Sequence, residues 1–222
     1  MGTWCERGGV QKLSITKQHG LSSLYQPHYA VIEAFEDPEN YRIEKTASVP
    51  VQTLDALASV HHFTDGMDLL KIDTQGSEYD ILCGAPHVLG GTLAVYIEME
   101  FAELYIGQPL FGEIHALMST QGFYLHDLLR VRRTRRAWKH FSRPQLLYGY
   151  GLYVKSAVDN KQAVRLAAVM TMLGYFDKAV SLIPDFYKEI AEHALRHAKN
   201  YGLSHARRGK KLYHDRKDER VF

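Results

Sequence analysis

The residues with the clearest chemical potential are carboxylates that stand immediately after short apolar runs. DLLKI is followed by Asp73, LAVYI by Glu98 and then Glu100, and FYL by His126 and Asp127. Side chains alternate along an extended strand, so Lys71 and Asp73 share one face, as do Glu98 and Glu100. Asp73 is therefore placed to pair with Lys71 or to cap a following helix. It is also a candidate general base or orienting group, because open α/β sheets collect ligands at the carboxyl ends of their strands. Glu98 and Glu100 read either as a solvated strand end or as ligand contacts at the sheet edge. His126 beside Asp127 is an acid/base candidate. Glu78 falls in the first turn of a short helix, where the dipole favours a carboxylate with or without catalytic duty.

The sharpest charge feature is RVRRTRRAWKH, Arg130 to His140. Its arginines repel one another unless something neutralises them, so the stretch is either a solvated hairpin loop or a seat for an anionic ligand, with Trp138 available for stacking. Over the whole chain charge is nearly balanced: 27 basic against 25 acidic side chains leave a formal charge of +2. Nothing in that balance calls for nucleic acid, and any basic partner surface must be local. Cys5 and Cys83 form neither a disulfide framework nor a zinc-ligand spacing, and His61-His62 has no third ligand nearby, so no metal is expected. The sequence has no uninterrupted apolar run of membrane-spanning length and no signal-peptide layout at its start, and Glu6 stands where a myristoylation motif needs Ser or Thr. The expectation is a cytoplasmic protein.

These side chains need elements to hold them. Val10 to Thr16 alternates as a half-buried strand after the turn signal Glu6 to Gly9, which predicts that the chain opens on a hairpin. Tyr41 to Val51 reads as extended, and Thr53 is set to cap the short helix LDALASV, with Asp55 in its first turn. Met67 to Ile72, Leu93 to Ile97 and Phe123 to Leu125 are apolar runs separated by helical patterns, a βαβ rhythm. Ile114, Leu117 and Met118 mark the clearest helix, which Gly122 ends. Leu146 to Lys155 follows a loop rather than a helix, so it is expected to run antiparallel to its neighbour. From Asn160 the pattern is helical, with one stripe at Ala163, Leu166, Ala167, Met170 and Leu173 and another at Ile190, Ala194, Leu195 and Ala198, before a charged tail from Arg207 to Arg220. The division expected is an α/β domain over residues 1–156 and a helical appendage with a basic tail over 157–222.

VQTLDAL, then DLLKIDTQGSEYDILCGA, then VYIEMEFAELYIGQPLFGEIHALMSTQGFYLHDL, together resemble the FkbM methyltransferase family. The specific part is the block Lys71-Ile72-Asp73-Thr74-Gln75-Gly76, with Glu78, Gly84 and Ala85 following, and Ser22-Ser23-Leu24 is similar to a family stretch upstream. The resemblance implies a Rossmann-like three-layer methyltransferase sheet that moves a methyl group from S-adenosylmethionine to an oxygen of a small-molecule or sugar acceptor. It implies Asp73 and Glu78 as catalytic carboxylates and Asp73, Gln75 and Gly76 at the cofactor; position at strand ends and in the basic stretch adds Lys71, Glu98, Glu100, His126 and Arg133 as candidates at the acceptor. A cofactor site of this kind needs a first strand leading into a glycine-rich turn. The sequence offers only Gly149-Tyr150-Gly151, inside an expected strand. The expectation is therefore a partial domain with its first strands missing and most cofactor contacts upstream of Met1. The rival reading is an inactive remnant or binding module that holds an anionic ligand or partner through Arg130 to His140.

Overall fold

A computed structural model of the chain describes residues 8–63, 65–138 and 141–183, together with 188, 189, 192 and 196. Its Cα framework separates into two compact units, Met1–Ala157 and Val158–Phe222. The first is a mixed α/β structure, the class expected.

Strand β1 (Gly9–Thr16) pairs antiparallel with β2 (Ile43–Val51), from Gly9 opposite Val51 to Thr16 opposite Ile43. The two arms are not joined by a tight turn: helix α1 (Tyr29–Phe35) lies between them in sequence, and Glu6 and Arg7 of the expected turn fall outside the described residues. An isolated bridge from Ser14 to Ser23 ties the loop after β1 back onto that strand. Helix α2 (Leu54–His61) starts as its sequence dictates, the Thr53 hydroxyl accepting the Ala56 N–H at 3.1 Å. Asp55 does more than lean on the dipole. Its carboxylate accepts the N–H groups of His87 and Val88, both at 2.9 Å, at the start of another helix, α4 (Pro86–Gly91). Ala85 precedes α4 and has no side chain to cap it, so Asp55 supplies from a distance the acceptor that a helix N-terminus needs.

Strands β3 (Leu69–Ile72), β4 (Ala94–Glu100), β5 (Phe123–Arg133) and β6 (Gln145–Lys155) form one sheet in the order β3-β4-β6-β5. β3 and β4 are parallel, and β6 runs antiparallel to both β4 and β5, so the last strand takes the direction expected of it. It also inserts between β4 and β5 instead of adding to the edge. The Gly149-Tyr150-Gly151 step explains how three strands fit there: a Cβ at Gly149 would stand 2.7 Å from the Leu129 carbonyl oxygen, and one at Gly151 would stand 2.4 Å from Met99 Cε.

β5 corrects the sequence reading. Phe123 to Leu125 is only its beginning, and the strand continues through LLRVRR to Arg133. His126 and Asp127 are therefore not at a strand exit. His126 is the extra residue of a bulge, unmatched between Leu125 opposite Tyr153 and Asp127 opposite Leu152. An edge strand tolerates such a polar pair because one side of it meets water.

Helices α3 (Glu78–Cys83) and α5 (Phe111–Thr120) contribute Leu82, Ile114 and Met118 to a core with Val95, Ile97, Met99 and Tyr153. Those sheet residues point to one face. The alternate residues Tyr96, Glu98 and Glu100 point to the other, opposite Leu152, Tyr150 and Tyr148 of β6. In the second unit, α6 (Asn160–Met172) opens with a capping box between Asp159 and Gln162 and is followed by α7 (Phe176–Leu182). Ala163, Leu166, Ala167 and Met170 of the first expected stripe are buried, whereas Leu173 is exposed. Ile190, Ala194, Leu195, Ala198 and the tail from Arg207 to Arg220 lie outside the described residues.

Candidate active site

Asp73 follows β3 at the carboxyl end of the parallel strands, level with Glu98 on the neighbouring strand. Lys71 Nζ lies 2.9 Å from Asp73 Oδ2, the ion pair predicted by strand alternation. Gln75 closes the arrangement from the other side. Its Nε2 donates to Asp73 Oδ1 at 3.2 Å and to Glu98 Oε2 at 2.6 Å, so one amide joins the two carboxyls.

This bridge depends on an unusual backbone. Gln75 and Gly76 both have positive φ, 59° and 106°, and a left-handed Gln costs on the order of 1 kcal/mol or more. The surroundings hold it there. Glu78 accepts the Thr74 N–H at 2.6 Å, the Thr74 hydroxyl at 3.0 Å and the Gly76 N–H at 2.8 Å. The Ser23 hydroxyl donates to the Gln75 carbonyl at 2.6 Å, and the Tyr105 hydroxyl lies 3.1 Å from Gln75 Oε1 and 2.9 Å from the Leu21 carbonyl. Glu78 is thus turned inward, 1% exposed, with both oxygens engaged by the loop. It is placed to position the loop and not, as expected beside Asp73, to take a proton from an acceptor. Burial raises its pKa against the lowering effect of those donors.

Glu98 and Glu100 are not a solvated strand end. They are 4% and 2% exposed, and their neighbours include Tyr41, Tyr105 and Tyr150. Burial, followed by the nearby charge of Asp73, pushes Glu98 up to about 8, although the Tyr150 hydroxyl bond pulls the other way. Burial and the charges of Glu78 and Glu98 hold Glu100 well above the ordinary carboxylate range. Gln108 stands beside Glu100, but among the described residues neither Gln108 Nε2 nor Glu100 Oε2 completes a hydrogen bond of good geometry. Asp73 goes the opposite way. Partial burial alone would raise it, yet bonds from Lys71, Glu98 and Gln75 and the Lys71 charge outweigh that and hold it below its usual value. At neutral pH the pair therefore holds an ionised Asp73 beside a protonated Glu98. Oppositely shifted neighbours of this kind mark where a fold separates acid from base.

The structure gathers Lys71, Asp73, Gln75, Glu98 and Glu100 at one place. It does not bring His126 or Arg133 there: His126 sits in the β5 bulge, and Arg133 ends β5 with its Nε 3.0 Å from Glu36 Oε1. Of the residues expected at a cofactor, Gln75 has its amide committed. Gly76 is buried, with a Cβ position 3.4 Å from Gln108 Cβ and 3.6 Å from the Tyr105 ring. Among the described residues there is no glycine-rich strand-to-helix turn. Ser23, Tyr105 and Tyr150 were missed as site residues. Ser23 lay within the resembling triplet, whereas the two tyrosines carry no motif.

The sequence model of the family described as the methyltransferase FkbM domain matches residues 9–125, a stretch that contains the β3 exit loop and β4. No curated protein and no solved structure matches the chain. No helix among the described residues is long and apolar enough to cross a membrane.

Proposed function

The chain belongs to the FkbM methyltransferase family, and from that premise we propose that it supports O-methylation of a small-molecule or sugar acceptor, with Asp73 receiving the acceptor hydroxyl. S-adenosylmethionine is the methyl donor that the family resemblance implies. The observation that carries this reading is geometric: at the carboxyl end of β3 and β4 an exposed Asp73, held by Lys71 and Gln75, stands beside a buried Glu98 bridged to it by the Gln75 amide.

The roles divide by exposure. Asp73 is the one carboxylate of the group open to solvent, and its charge is fixed in place by Lys71 and Gln75. It accepts a hydrogen bond from the acceptor hydroxyl and aims the oxygen's lone pair at the donor, which is the orientation that methyl transfer requires. Lys71 keeps Asp73 ionised throughout the neutral range. Glu98 remains neutral and contributes shape without adding a second negative charge. Gln75, Ser23, Tyr105 and Glu78 hold the loop in its left-handed course, and none of them needs to touch the acceptor.

The test is transfer of a labelled methyl group from S-adenosylmethionine to a panel of sugars, glycosides and hydroxy acids, read together with release of S-adenosylhomocysteine. Label found on an acceptor oxygen supports the reading. Heat of cofactor binding near micromolar without any transfer, or no heat at all from the folded chain, counts against it.

A further inference from the structure

The arginine-rich hairpin does not reach the Asp73 site, and it builds a concavity of its own. A cavity of about 400 Å³ opens between α1 and the β5–β6 loop, lined by Phe35, Arg133, Arg135, Trp138, Ser142 and Arg143. Three arginines line it, and among the described residues no carboxylate does. Two of the three are already held. Arg133 is braced by Glu36 at 3.0 Å and lies over the Tyr148 ring at 6.0 Å, and Arg135 lies over the Phe35 ring at 4.8 Å. Arg136 also donates to the Glu36 carbonyl at 3.2 Å, tying the loop to the end of α1. Arg143 is exposed and makes no ion pair among the described residues. One glutamate therefore offsets one of three cations, and the rotamer entropy that anion binding normally costs has largely been spent on the packing.

We propose that this cavity binds the phosphate group of a phosphorylated acceptor, with the exposed indole of Trp138 covering the face of the sugar or ring that carries it. Fixed guanidinium forks match the geometry of a phosphate, and an exposed aromatic face suits the attached ring. The proposal rests on the reading of Asp73 as the acceptor end, and it adds a length requirement.

β5 and β4 are both antiparallel to β6, so β3, β4 and β5 end on the same edge of the sheet. Glu98 is level with Tyr150 and Leu129, and Arg133 lies four residues beyond Leu129 on a strand three places from β3. At the ordinary strand rise and spacing, that puts the cavity about 20 Å from Asp73. Half-buried tyrosines occupy the interval: Tyr96 stacks on Tyr150 at 5.8 Å, and Tyr150 meets Tyr148 edge-on at 6.3 Å. The acceptor class is thus an extended one, such as a short glycan or glycoside bearing a phosphate at the end remote from the methylated hydroxyl.

Binding to the cavity is measured without any methyl donor, so failure here leaves the methyl-transfer reading standing and failure there leaves this one. Calorimetry in phosphate-free, low-salt buffer compares glucose monophosphate, inorganic phosphate and glucose. Wild type is expected to bind the ester more tightly than the bare ion and not to bind glucose. Arg143→Gln should weaken the ester by roughly tenfold, the loss of one charge-assisted fork, while Arg130→Gln, an exposed strand position outside the lining, should change it by less than about twofold. Both replaced side chains are exposed, and unchanged melting curves will confirm that the variants fold. No heat with the ester, equal affinity for ester and inorganic phosphate, or equal weakening by the two variants overturns the proposal. Cosedimentation with phosphatidylserine-containing vesicles in the absence of ester binding would also overturn it, assigning the cluster to a lipid surface.

Discussion

Replacing Glu98 by Gln keeps the shape of a protonated carboxyl and removes its ability to ionise. Glu98 is 4% exposed and pushed up to about 8, against an ordinary value near 4.5. A carboxyl raised on folding contributes its stability in full below the unfolded value and loses it as pH rises through the folded one, because the unfolded chain gives up the proton first. The window for Glu98 therefore runs from about 4.5 to about 8. At roughly 1.4 kcal/mol per pH unit the whole loss is on the order of 5 kcal/mol, a large share of a domain's 5–15 kcal/mol. Glu98→Gln also removes a charge that helps to raise Glu100, so the separation reads Glu98 together with its coupling to Glu100. Thermal melts of wild type and Glu98→Gln from pH 5 to pH 8.5 should start close together and separate as pH rises, the variant ending roughly 10 °C higher. Parallel curves with a constant gap would falsify the argument, since they would mean that Glu98 ionises alike in the folded and unfolded chain.

Asp73→Ala should lower methyl transfer by about 10² or more while the fold is retained, and Glu98→Ala should lower it less; S-adenosylhomocysteine release measures both, and equal activity of the two variants with wild type retires the catalytic assignment. Asp55→Ala removes the carboxylate that accepts both N–H groups at the start of α4 and should cost about 1–2 kcal/mol, seen as a lower urea midpoint with unchanged slope. A midpoint equal to wild type would show that water caps that helix equally well. Gly76→Ala puts a Cβ on a residue at φ 106° and should destabilise by more than about 1 kcal/mol, even though the space beside Gln108 would admit a methyl group. A neutral effect in the same denaturation assay would show that the loop relaxes into another course.

What could be read from the sequence was whatever local spacing decides. Lys71 and Asp73 are two residues apart on one strand, so their pairing needs nothing beyond alternation. The same is true of Thr53 at the start of α2 and of β6 turning back after a loop. The burial of Glu98 and Glu100 was not legible, because Tyr41, Tyr105 and Tyr150 arrive from three separate parts of the chain. Polar residues after an apolar run look like a strand leaving the core, and here the strand stays buried to its end. The same rule failed at His126 for a different reason: a bulge lets β5 absorb one extra polar residue and continue. Asp55 shows a third limit. Its position in α2 was right, but its partners lie more than thirty residues away and follow from how α2 and α4 meet.

The depressed pKa of Asp73 raises a question for any reading of it as a base, because a carboxyl held below its usual value is a weak proton acceptor. For hydroxyl methylation this is not a handicap. An oxygen that has gained a methyl group while still carrying its proton is a strong acid, and even a weak base removes that proton. What the step needs beforehand is an acceptor lone pair held in line, and a fully ionised carboxylate gives the firmest hydrogen bond for that purpose. A carboxyl with the pKa of Glu98 in the same position would be protonated at neutral pH and would offer the hydroxyl a competing donor. The exposure of Asp73 then provides an exit, since a proton arriving on a poorly basic, solvent-facing oxygen passes to water without crossing the buried Glu98–Glu100 group. On this reasoning turnover should stay flat from about pH 6 upward as far as Asp73 is concerned, because it remains ionised throughout that range. An activity that rises through pH 8, in step with the ionisation of Glu98, would shift the proton-accepting role from Asp73 to Glu98.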